Sequence, residues 1–300
     1  MVFIHGGNGG MLSSITTGYG TANLPKSNQS SPISIPLTSN GGMYGSLVNR
    51  LKRKDRTIVT YDRRCAGASE YTLNKFYTLD TLGTDCLQLM KHLGHDTFTV
   101  IGSSMGGPIA LWLTLNHPES IENLIVLNSH PCIVGKHPPY NTNAHRLHTF
   151  QTIMQMTTAQ QKKYFVKKEH ARRMKEQILI DVDAGGTTLE PLRATAESLS
   201  DDALFSYWSG QLHNLFCYLD IDFTNLLGEI LQPTLIVHGD ADPTVPYNGA
   251  VVLHHGIVGS TLHTVKGGGH GMPGDLECQS VVLKWLDDLD NGRNSNSSRL

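Results

Sequence analysis

Gly102-Ser103-Ser104-Met105-Gly106 joins a β-branched run, Thr97 to Ile101, to an apolar helical run, Ile109 to Leu115. A strand that feeds a helix through so short a turn must double back sharply. Small residues therefore flank the apex, and the apex side chain stands out where it can be reached. The G-x-S-x-G pattern puts Ser104 at that apex, above a helix N-terminus whose first N–H groups have no partner within the helix. A serine hydroxyl is a weak nucleophile by itself, so a catalytic reading requires a base and an orienting acid elsewhere in the chain.

Both are present, each after an apolar run. Pro233 to Val237 reads as a short strand and leads into His238-Gly239-Asp240-Ala241-Asp242-Pro243-Thr244-Val245-Pro246. Of the two carboxylates, Asp242 is the better candidate because it lies past the turn, at the Pro-rich entry to the next helix. Thr261 to Val265 reads as a second strand, ending in Gly267-Gly268-Gly269-His270-Gly271, where the glycines let the loop return His270 to the serine. Taken singly, each motif is compatible with an ordinary turn, and most of the fifteen histidines are packing or surface residues. The weight lies in the ordered set Ser104, Asp242, His270, which is the chain order of one hydrolytic sheet and of neither chymotrypsin nor subtilisin.

The first residues add a fourth element. Val2-Phe3-Ile4 reads as a buried strand, followed by His5-Gly6-Gly7-Asn8-Gly9-Gly10. A loop of this kind places a backbone N–H opposite the one that follows the serine, so Gly7 or Asn8, together with Met105, are the candidate donors to an oxyanion. The same glycines make a poor phosphate cradle, since no Gly-Lys-Ser/Thr follows and no G-x-G-x-x-G opens a helix.

HGGNGG, the DRRCAGAS stretch (Asp62 to Ser69), GSSMG, GDADPTVP and GGGHG together resemble the α/β-hydrolase superfamily over nearly the whole chain. The resemblance implies a mostly parallel, doubly wound α/β sheet with a helical cap, and a Ser-His-Asp triad. DRRCAGAS is similar to the family's D-x-R-G-x-G-x-S turn, with Cys65 where glycine is usual. That turn is mostly structural, so no catalytic role passes to Asp62 or Arg63. A serine at the elbow also speaks against the epoxide hydrolases and haloalkane dehalogenases of this fold, which place aspartate there. One fold hosts many chemistries, so the resemblance leaves the substrate open.

Three hundred residues suit one α/β domain with an excursion. The formal charge of −2 argues against a nucleic-acid surface. No run reaches the ~18 apolar residues of a membrane span, and MVFIHGG lacks the form of a signal peptide. The five cysteines, at 65, 86, 132, 217 and 278, are dispersed without metal spacing and read as reduced intracellular thiols. No metal or organic cofactor is called for.

Strands are expected near 2–5, 57–61, 97–101, 123–127, 233–237 and 261–265, and helices near 43–54, 79–93, 105–116, 246–255 and 276–288. Residues 1–135 and 228–290 then form the core, 136–227 a helical cap, and 291–300 a flexible tail. Within the cap, Tyr207, Trp208, Leu212, Leu215 and Phe216 form an aromatic and aliphatic stripe suited to packing on the core or to lining an acyl pocket. Two irregularities stand out. Most relatives have two more strands before the HGG loop, so the first strands are expected to be missing, either because a real edge is absent or because the sequence starts internally. Met11 to Asn40 is a Ser/Thr/Asn/Pro-rich insertion without hydrophobic period, and reads either as a flexible lid or as a translated non-coding segment.

The chain ends in Ser298-Arg299-Leu300, which keeps the small-basic-leucine pattern of the peroxisomal S-K-L address. The expected partner is a peroxisomal import receptor, with a cytoplasmic location otherwise. With HGGNGG, DRRCAGAS and GSSMGG, this ending makes the chain similar to the peroxisomal hydrolases of fungal host-selective, AK-toxin-type biosynthesis. The expected reaction is hydrolysis of an ester or thioester of a small acyl substrate. Acyl transfer or lactone opening on the same triad, or a degenerate homologue that only binds a small molecule, are the alternatives.

Overall fold

The computed structural model describes residues 1–4, 15–16, 42–52, 56–64, 69, 77–132, 155–157, 159–160, 217–218 and 221–297. The oxyanion-loop candidates Gly7 and Asn8, the middle of the expected cap with its aromatic stripe, Cys65 and the terminal tripeptide lie outside them.

The β-branched runs become the strands β1 (Val2–Ile4), β3 (Ile58–Thr60), β4 (Phe98–Ser103), β5 (Ile121–Leu127), β6 (Thr234–Gly239) and β7 (Thr261–Val265), with the two-residue β2 (Ile15–Thr16) between the first two in the chain. They form one sheet in the order β2-β3-β1-β4-β5-β6-β7. Six of these strands are mutually parallel; β2 alone runs antiparallel, against β3. β2 was not expected, because two paired residues inside a polar insertion leave no hydrophobic period to read.

Parallel strands are covered on both faces, and side chains alternate between those faces with period two. Val2, Ile4, Val100, Leu124, Val126 and Ile236 face one core with the helices α2 (Leu79–His92), α3 (Gly106–Asn116) and α4 (Asn248–Gly256). Phe3, Ile101, Ile125, Leu127, Leu235 and Val237 face the other, with α1 (Gly42–Leu51) and α5 (Leu276–Ser297). α3 is buried without interruption from Gly106 to Thr114, as expected of a helix that is apolar all round and lodged in the middle of a fold. Cys86, Cys132, Cys217 and Cys278 are buried and outside any disulfide, and burial pushes Cys86 and Cys278 up to about 12.

Two boundaries differ from expectation. α5 continues to Ser297, through residues read from sequence as a flexible tail; no proline interrupts them, and a helix once nucleated adds one bond per residue fixed. The last part of the stretch read as cap belongs to the core: Cys217, Tyr218, Phe223 and Leu227 are buried in the α2–α3 cluster. Tyr218 accepts a hydrogen bond from the buried Arg63 guanidinium at 2.8 Å, and Phe223 N–H donates to Pro131 O at 3.0 Å. Arg63 therefore ties the chain's return from that stretch to the end of β3, in keeping with a structural role for DRRCAGAS.

No helix among the described residues is long and apolar enough to cross a membrane. Leu111, fully buried on α3, tests the packing. Leu111→Ala should cost about 2–5 kcal/mol, read as a lower urea midpoint with an unchanged denaturant slope.

Candidate active site

In a parallel sheet every strand delivers its C-terminal loop to the same edge, and ligand-binding groups collect there. β4 ends at Ser103, and Ser104 follows with φ of 52°. This left-handed conformation is unfavourable for a residue with a Cβ and is held only where the surroundings over-determine it. Here a wholly buried strand and a helix buried from Gly106 to Thr114 pin both ends of the turn. Their approach leaves no room for a side chain at Gly102, where a Cβ would lie 2.5 Å from Gly106 O. Ser104 N–H continues the sheet ladder to Leu127 O at 2.9 Å, while its carbonyl accepts Gly107 N–H at 3.0 Å and Ser129 Oγ–H at 2.6 Å. Met105 is the N-cap of α3, so its N–H belongs to the helix's unpaired first turn.

The loops after β6 and β7 meet the turn. His270 Nε2 lies 2.9 Å from Ser104 Oγ, and His270 Nδ1 lies 2.8 Å from Asp242 Oδ2. A carboxylate only accepts, so Nδ1 carries the proton and Nε2 is left as an acceptor facing the serine hydroxyl. Asp242 has a fully shielded side chain. Its Oδ1 accepts Thr244 N–H at 2.8 Å and Val245 N–H at 2.9 Å, closing an Asx turn that fixes the carboxylate. Burial alone would push the carboxyl up. The nearby His238 imidazole, the hydrogen bond from and charge of His270, and the Val245 N–H outweigh it, and Asp242 is held well below the usual carboxylate range.

Asp240 does something different. Its Oδ1 accepts Gly267 N–H at 2.7 Å and its Oδ2 sits 3.2 Å from Lys266 Nζ, interactions that hold this exposed carboxyl below its ordinary value. It braces the two loops against each other and makes no contact with His270. The structure thus brings Ser104, His270 and Asp242 together in one relay, with Met105 beside the serine.

Sequence reading assigned no part to several neighbours. His238, wholly buried at the end of β6, donates Nε2–H to Val245 O at 3.0 Å and lies 3.5 Å from Asp242 Oδ2. His130 is buried after β5, where burial and nearby His238 lower its imidazole to about 4, so it stays neutral. The only sequence signal for either was a polar residue closing an apolar strand. Among the described residues no group of three His, Cys, Asp or Glu side chains is arranged to hold a metal ion.

Residues 1–273 match the alpha/beta hydrolase fold, and the chain belongs to that family. It is 24% identical over 266 residues to "Putative carbamate hydrolase RutD" of Yersinia enterocolitica, covering 86% of this chain and 89% of that protein. Among solved structures it resembles an esterase from Exiguobacterium antarcticum with a TM-score of 0.61 at 22% identity, over 96% of this chain and 90% of the other. It also resembles the enol-lactonase of Burkholderia xenovorans LB400 with a TM-score of 0.58 at 16% identity, over 96% and 90%. These structural likenesses show the fold.

Because Asp242 titrates lower when folded than the ~3.9 of a free aspartate, its contribution to stability is present above about pH 4 and is lost as the pH falls through the folded value. Thermal melts should show the gap between wild type and Asp242→Asn widest at pH 7 and narrowing below pH 4.

Proposed function

We propose that the chain is a serine hydrolase that cleaves an ester or thioester of a small acyl substrate. The observation that carries this reading is the unbroken relay of hydrogen bonds from Ser104 Oγ through His270 to Asp242, at 2.9 and 2.8 Å. His270 Nε2 takes the serine proton as Oγ attacks the acyl carbonyl, and Asp242 stabilises the imidazolium that forms. The tetrahedral oxyanion is received by the Met105 N–H and by that of Gly7 or Asn8. Collapse expels the alcohol or thiol, which takes its proton from His270, and leaves the acyl group on Ser104. His270 then deprotonates water, which attacks the acyl-enzyme, releases the acid and restores the serine. Every step uses the chain's own groups and water.

A carbamate, as the RutD name suggests for that relative, or a lactone, as for the Burkholderia enzyme, would enter the same relay. Ester or thioester cleavage is preferred because it asks nothing of the site beyond the relay and the oxyanion donors. A homologue that only binds small molecules gains no support from a serine, imidazole and carboxylate already in line.

Labelling with a fluorophosphonate, followed by peptide mass spectrometry, tests this reading. An adduct on Ser104 that is lost in His270→Ala is the expected result, and a folded protein left unlabelled rejects the proposal. On an acyl ester that wild type turns over, Ser104→Ala should lower kcat by ~10⁶-fold. Asp242→Asn should fall far below Asp240→Asn.

Cellular placement is a further part of the proposal. Ser298-Arg299-Leu300 supports peroxisomal delivery through an import receptor. Together with the resemblance to hydrolases of fungal toxin clusters, it favours a role in secondary metabolism, although the relatives named above carry no such pathway in their names. A fluorescent protein ending in residues 291–300 should become punctate with a peroxisomal marker in fungal cells, and should be diffuse once the last three residues are removed.

A further inference from the structure

We propose that Asn128 is a positioning residue whose side-chain amide bolts the loop carrying Asp242 to the loop carrying His270. The inference rests on the hydrolytic reading above and adds to it a residue that touches none of the reacting atoms.

The argument begins with the sheet. β5 lies between β4, which delivers the serine, and β6, which delivers the acid. Asn128 follows β5 directly, and its N–H makes a last rung of the β5–β6 ladder, donating to Val237 O at 3.0 Å. In a parallel ladder the next rung would run from Gly239 N–H to the main-chain carbonyl of the same residue. Asn128 has φ of 43°, which turns its main chain out of the strand. Its side-chain Oδ1 takes the vacated place and accepts Gly239 N–H at 3.2 Å. The other end of the amide, Nδ2, donates to Gly269 O at 2.8 Å. Gly269 immediately precedes His270, and Gly239 lies three residues before Asp242.

One planar group therefore replaces a peptide unit and adds a side-chain tie between the two loops. They already touch backbone to backbone: a Cβ on Gly239 would stand 2.2 Å from Gly268 O, and Ala241 N–H donates to that same oxygen at 3.0 Å. The next residue, Ser129, grips the serine turn itself through Ser104 O at 2.6 Å. Two consecutive residues thus hold all three loops of the relay.

The side-chain chemistry required is narrow. The position needs an acceptor for an N–H, a donor for a carbonyl, and tolerance of positive φ, a combination that asparagine supplies. The Asn128 side chain is fully buried, so a missing partner is not replaced freely by water. Aspartate at this position keeps the acceptor and sets a carboxylate against Gly269 O. Glycine keeps the backbone conformation and loses both bonds.

The test uses the full chain and two variants, Asn128→Asp and Asn128→Gly. Fluorophosphonate labelling of Ser104 is resolved into a binding constant and a first-order acylation rate, alongside a thermal melt of each protein. A misplacement of about an ångström at a reacting centre costs ~10²-fold in rate. The acylation rate should therefore fall by about that factor in both variants, with the binding constant within threefold of wild type. A purely structural role would lower the melting temperature and leave the acylation rate of the folded protein unchanged. Acylation within threefold of wild type in either folded variant overturns the inference and leaves the hydrolytic reading standing. Absence of labelling in wild type overturns the hydrolytic reading and this inference with it. Should neither variant fold, amide exchange in wild type decides: protection of Gly239 N–H equal to that of β6 supports the bolt, and exchange at the rate of an exposed loop refutes it.

Discussion

Everything at the C-terminal edge of the sheet depends on one uncomfortable backbone conformation. Ser104 at φ of 52° is stable only because strand and helix on either side are too deeply buried to move. Fully burying an apolar side chain stabilises by about 1.5–3 kcal/mol, and β4 and α3 together bury more than a dozen residues. A local strain of ~1–3 kcal/mol is small beside that. The core thus supplies the rigidity that holds the serine hydroxyl outward, and the sheet ladder from Ser104 N–H to Leu127 O fixes the distance between the serine turn and the strand beside it.

The acid is organised by a different balance. Asp242 sits where burial opposes its charge, and it is ionised because imidazole and backbone N–H groups surround it. Two histidines share this carboxylate unequally. His270 lies 2.8 Å away and faces the serine, whereas His238 lies 3.5 Å away and gives its proton to Val245 O. The second imidazole braces the loop that presents the carboxylate.

Much of this was legible in the sequence, for a physical reason. The strands and helices follow from apolar runs whose periods survive any tertiary arrangement, and Ser104, Asp242 and His270 each close such a run or the loop after it. That Asp242 rather than Asp240 would meet His270 could be expected from position alone, and the Asx turn to Thr244 and Val245 shows how that position is held. Asn128 could not be read in the same way. Its partners are 111 and 141 residues away in the chain, and nothing local distinguishes a bridging asparagine from one that ends a strand. β2 and the helical residues 291–297 were hidden for the opposite reason: they are local but carry no hydrophobic signal.

The order of strands in the sheet has a consequence for the making of the protein. β1, three buried residues near the start of the chain, lies between β3 and β4 and pairs with both. At ~5–20 residues per second of synthesis, it waits several seconds for either neighbour, its apolar side chains uncovered and its backbone N–H and C=O groups unpaired with a strand in the meantime. Ser104 follows β4, and His270, its partner in the folded sheet, comes 166 residues later. The contact between Ser104 and His270 can therefore form only after the loop that follows β7 has been made, well after the residues of β4 and α3 that flank the serine.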